Sequence, residues 1–181
     1  VANQDLEFGG DLCLRCHTPA GWTEGRSVPT DGPMLDPMQA DFDGVNCHFC
    51  HRLVDIVYEP GASPAADLPI LQTLEMNGEL PPSNPHSGQY VLDPDDWRRG
   101  PFDLGMGFFW HDWWQSPFHR EAALCGTCHD VSNPAFTRQP DGTYAPNAYD
   151  TPHPTGEKTD AFPVERTFSE WAQSDFSRAE I

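Results

Sequence analysis

Apolar positions along the chain come in short bursts that do not sustain one period for long. Asp5 to His17 alternates apolar and polar residues at helical spacing, weakened by Gly9 and Gly10, and Gln39 to Arg52 reads as a second helical stretch. The clearest helix start is SPFHREAALCGTCHD, with Ser116 as N-cap and Pro117 at the first helical position, followed by Glu121, Ala122, Ala123 and Leu124. A last helix is expected over Glu165 to Phe176, where Phe168, Trp171 and Ala172 share a face. Between Asp130 and Gly156 the PDG turn signal separates two short extended pieces. Pro60 to Gly100, rich in proline, reads as a long loop wrapped over a cofactor.

The pattern therefore predicts a mainly irregular fold with a few short α-helices and little β-structure, in one domain spanning residues 1 to 181. The 15 glycines and 19 prolines make up nearly a fifth of the chain. Such a chain needs disulfides, metals or a large bound group to organise its core. No apolar run reaches the length of a membrane span. Asp and Glu outnumber Lys and Arg by 28 to 10, for a formal charge of -18. That argues against nucleic acid and anionic membrane surfaces as partners, both of which need a basic footprint. It suits solubility outside a cell, or steering towards a basic protein. The run Asp31 to Gly44 lacks the spacing of a calcium loop and reads as a solvated turn. The chain begins at Val1 without an export signal, as a mature or trimmed product would, and a longer natural chain is compatible with its end at Ile181.

All six cysteines fall in three copies of one unit: CLRCH (Cys13, Cys16, His17), CHFCH (Cys47, Cys50, His51) and CGTCH (Cys125, Cys128, His129). C-x-x-C-H is the attachment signature of c-type haem. Two thiols one helical turn apart add across the two vinyl groups on one porphyrin edge, and the following histidine is carried under the ring to the iron. Structural zinc uses paired knuckles in sets of four ligands and does not explain a histidine after every pair. A disulfide scaffold leaves that histidine idle. Three covalently bound haems c, around which the short helices pack, are the expectation, with His17, His51 and His129 as proximal ligands. Haem attachment of this kind takes place outside the energy-transducing membrane, so a periplasmic or extracellular location is expected.

Five histidines remain for three irons: His48, His86, His111, His119 and His153. Methionine is the other common axial ligand, offered by Met34, Met38, Met76 and Met106, but the histidine supply favours bis-histidine ligation. His111 and His119 rank first because they flank WWQSP in an aromatic stretch, with Phe108, Phe109, Trp110, Trp113 and Trp114, suited to porphyrin faces. His153, held between Pro152 and Pro154, comes next, and His86 is the reserve. His48 lies between the two anchors of its own haem and reads as a surface residue.

With GVNCHFCHR, SPFHREAALCGTCHDVSNP and FPVERTFSEWAQSDF, the chain resembles secreted bacterial multihaem cytochromes c, distantly the cytochrome c-552/4 and hydroxylamine-oxidoreductase-like assemblies. In such proteins the SPFH-type segment supplies residues near a neighbouring haem. The RTFSEW-like segment is commonly followed there by a further haem motif, which this sequence lacks. The resemblance implies several settings: a soluble carrier, a subunit of a larger enzyme, or a homo-oligomeric subunit of an extracellular filament. Electron transfer without substrate chemistry, towards redox protein partners, is the leading expectation. The alternative is a haem subunit of an oxidoreductase acting on a small nitrogen or sulfur species, which requires an open iron position.

Overall fold

A computed structural model describes residues 10–84, 86–105, 111–148 and 151–178. Helix accounts for 31% and strand for 17%, in short helices and small sheets separated by irregular chain. The strand share includes two sheets that the apolar pattern does not announce.

The first haem-type motif sits on α1 (Asp11–His17), followed at once by α2 (Pro19–Thr23), which begins on its proline. The part of the expected first helix before Gly10 lies outside the described residues. The second expected helix is corrected to a single turn, α3 (Cys47–Cys50), preceded by a 3-10 turn at Pro37–Gln39. Gly44, at a φ of 67°, breaks the run between them, and the Asn46 side chain then caps the Phe49 amide at 2.8 Å.

The segment Pro60 to Gly100 is not the loop expected. It holds α4 (Asp67–Asn77), and β2 (Val91–Leu92) and β3 (Arg98–Gly100). Pro69 falls in the first turn of α4, where its missing N–H costs nothing, and Gly78 closes the helix at a φ of 72°. The prolines thus bound a helix rather than prevent one. β2 pairs antiparallel with β1 (Leu53–Val54), and β3 pairs parallel with β4 (Trp113–Gln115).

Ser116 does precede a helical turn, but a 3-10 turn, Pro117–Arg120, and its side chain makes no cap. Glu121 returns to extended backbone before α5 (Ala122–Gly126) begins, so the single long helix expected here is broken in two. Cys128 and His129 continue just beyond α5, their amides donating to the Cys125 carbonyl. The PDG turn forms as predicted: β5 (Val131–Arg138) pairs antiparallel with β6 (Tyr144–Pro146), and on its other side with β7 (Ala161–Glu165). The last helix, α6 (Thr167–Gln173), stacks Phe168 on Trp171 and is shorter at both ends than expected.

Seven hydrophobic side chains are buried among the described residues. Six of them form two small clusters. Phe49, Leu53 and Phe118 pack with Tyr90, Leu92, Ala123 and Leu124, while Val54, Leu71 and Val91 pack with Ile56 and Ile70. The first joins the second and third motifs directly, and the shared strand β1 ties it to the second cluster. The small core among the described residues suits a chain organised by a large apolar group.

Candidate haem-attachment site

The three motifs converge. The thiols of Cys16 and Cys128 are neighbours, and each acts on the other so that the pKa of the first is lowered and that of the second raised. This brings the first and third motifs together. Cys50 lies close enough to Cys125 to feel its charge, although burial is the main cause that pushes its thiol up. In each unit the first cysteine is exposed, the second is half-buried, and all six are free. The second and third motifs share the aromatic cluster of Phe49, Tyr90 and Phe118, in which Phe49 and Tyr90 meet edge to face at 4.8 Å.

His51 is the best-defined proximal candidate. Its Nδ1 donates to the Arg99 carbonyl at 2.6 Å, which fixes the tautomer and leaves Nε2 free to bind a metal. The His119 ring stands opposite, nearly parallel at 6°, with ring centroids 6.2 Å apart. Two imidazoles each holding a metal at about 2 Å from a ring nitrogen sit at about this separation. Burial lowers the pKa of His119 and keeps it neutral, and its Nδ1 is buried without a partner. Its Nε2 contacts the Cys50 carbonyl at 3.1 Å, so one ring nitrogen is engaged and the other is not. Trp113 lies against His51 at 5.5 Å.

The other expected ligands separate into two groups. His86, the reserve, is 5% exposed, and its Nδ1 bonds the Asn84 carbonyl at 2.8 Å. Among the described residues no hydrogen bond reaches its Nε2, and burial lowers its pKa, so it stays neutral. The chain after it docks on the third motif, with Ser87 donating to the Asp130 carbonyl and Gly88 to the Thr127 carbonyl. Gly88, at a φ of 65°, approaches so closely that a Cβ there would lie 3.0 Å from Cys16 Sγ. His86 is thus seated between the first and third motifs.

His111, in contrast, is exposed and paired through Nδ1 with Asp96 at 2.7 Å. His153 is tied into its own loop: Nδ1 accepts from the Gly156 amide at 3.1 Å, and Nε2 meets Thr137 Oγ1 at 3.2 Å, at the end of β5 away from Cys128. His48 is exposed between Arg52 and Arg98, which contact its two ring nitrogens at 3.1 and 2.8 Å. Met34, Met38 and Met76 are exposed. Met106, Phe108, Phe109 and Trp110 lie outside the described residues. In the Asp31 to Gly44 run, Asp41 is buried and taken by Arg26 at 2.8 and 2.6 Å.

Three free thiol pairs, an oriented imidazole with a parallel partner, and a small core fit covalent haem. Among the described residues no three His, Cys, Asp or Glu side chains converge as a metal cage. Structural zinc needs such a cage, whereas haem iron takes only two ligands from protein. His86 was ranked last from sequence, and Asp67, Asp93, Arg99 and Tyr90 carried no sequence signal, because their burial arises only from pairings across the chain. No family model, no curated protein and no solved structure matches the chain. Among the described residues, no helix is long and apolar enough to cross a membrane.

Proposed function

We propose that this chain is a three-haem cytochrome c that transfers electrons and performs no substrate chemistry. The observation that carries the reading is the convergence of three complete C-x-x-C-H units, with His119 opposite the oriented ring of His51. Cys13 and Cys16, Cys47 and Cys50, and Cys125 and Cys128 would hold the three porphyrins, and His17, His51 and His129 the irons. The group supplies reversible one-electron iron chemistry when bound. The protein orients His51, keeps His119 and His86 neutral by burial, and brings the motifs within one cluster.

His119 is assigned to the iron of His51. His86 is assigned to an iron of the first or third motif, ahead of His111 and His153. The likeness to secreted multihaem cytochromes supports a periplasmic or extracellular place and redox protein partners, whether the chain works as a carrier or as a filament subunit. Haem staining of the denatured protein together with stepwise reduction in an optical cell tests the reading. Three covalent haems that are all low-spin and unresponsive to cyanide are expected. A haem that binds cyanide at once would transfer the protein to the oxidoreductase alternative.

A further inference from the structure

A buried ionic cluster stands directly behind the second motif. Arg99 and Asp67 are 0% exposed and Asp93 is 3% exposed. Arg99 Nε donates to Asp67 Oδ1 at 2.8 Å, and Arg99 Nη2 donates to Asp93 Oδ2 at 2.6 Å. Burying three charges costs desolvation that their pairing only offsets, so such a cluster is weak as a stabilising device. What it does accomplish is geometric. The Arg99 amide donates to the His51 carbonyl at 2.7 Å, and the Arg99 carbonyl accepts the His51 Nδ1 proton at 2.6 Å. On the other side the Asp93 amide donates to the Arg52 carbonyl at 2.9 Å, and Arg52 Nε returns a bond of 2.9 Å to the Asp93 carbonyl. The backbone of His51 and Arg52 is gripped at both residues by the two chain segments that the buried guanidinium joins.

The other two motif histidines have nothing comparable. His17 and His129 are exposed, and among the described residues no side-chain hydrogen bond reaches either ring. Resting on the three-haem reading, we propose that Asp67, Arg99 and Asp93 are positioning residues for the second haem iron, holding the Arg99 carbonyl on Nδ1 of His51 and so setting the plane and donor strength of that one axial ligand. A hydrogen bond at Nδ1 makes Nε2 the stronger donor, which favours the oxidised iron. The planar fork of arginine is required because it spans two carboxylates, which the ammonium of lysine cannot do with the same geometry.

The test uses the haem-loaded protein, with haem content read first by mass so that failure of the three-haem reading is distinguishable from failure of the clamp. Asp67→Asn and Asp93→Asn are compared with Asp55→Asn, which removes a carboxylate whose hydrogen bond is to the Val57 amide instead. Low-spin electron paramagnetic resonance reports the relative orientation of two axial imidazole planes, and loss of charge alone does not turn a plane. In Asp67→Asn and Asp93→Asn, one of three signals should change its anisotropy and one of three potentials should rise, with the other two unmoved. Asp55→Asn should leave every signal in place.

If these variants do not fold, the unaltered protein still decides. In the reduced, nitrogen-labelled form, one proximal Nδ1 proton should exchange with solvent at least about tenfold more slowly than the other two. Three signals that all move together, none that moves, or three Nδ1 protons exchanging alike would overturn the proposal.

Discussion

Eight histidines share one side chain and differ only in what surrounds them. His119 and His86 are kept neutral by burial, and among the described residues each has one ring nitrogen without a hydrogen bond, whereas His153 is engaged through Nδ1 by the Gly156 amide and through Nε2 by Thr137 of β5. Replacing His119 with alanine should convert one haem of three to a high-spin spectrum, and His86→Ala should do the same to another. His153→Ala and His48→Ala should leave the visible spectrum unchanged. The three CxxCH units were legible in the sequence because their spacing is local. The burial of His86 was not, since Gly88 closes against Cys16 from a distant part of the chain. Asp55 gives a second prediction at this scale. Burial raises its pKa from 3.8 to about 6, so the folded state binds its proton more tightly than the unfolded chain does. Stability should then decline as pH rises from about 4 to about 6 and stay level above that. Asp55→Asn should remove this part of the pH dependence and raise the melting temperature at neutral pH, as followed by circular dichroism.

Three short helices, α1, α3 and α5, each carry or lead into one motif. α6 illustrates the packing that results: its Phe168 lies so close over Gly126 that a Cβ there would meet the ring at 2.6 Å. Gly126→Ala should therefore lift α6 from the third motif and cost about 1–3 kcal/mol in denaturant unfolding, as overpacking does. A variant of unchanged stability would mean that α6 is not held there. At this scale the sequence was read correctly where a turn residue acts locally, as in the PDG hairpin. It misled where proline was taken as a loop former throughout. Pro69 sits in the first turn of α4, and that helix delivers Asp67 to the buried Arg99. The break at Glu121 was likewise invisible, because Glu, Ala and Leu are all good helix formers and the interruption serves to turn His119 back towards Cys50.

For the whole molecule, the buried hydrophobic side chains among the described residues form only two small clusters, the first of them beside the second and third motifs. Replacing all six cysteines with alanine should leave a chain that exchanges its amide protons rapidly and unfolds without a sharp transition, because the two clusters among the described residues are small. The formal charge of -18 should make electron exchange with a basic redox protein fall as salt rises, while exchange with a neutral small mediator stays level. The proposed electron transfer requires bound porphyrins. Intact mass of the denatured protein tests this most directly: the mass of the polypeptide plus three haems is expected, surviving acid and organic solvent. A mass equal to the bare polypeptide, with six alkylatable thiols, would contradict it.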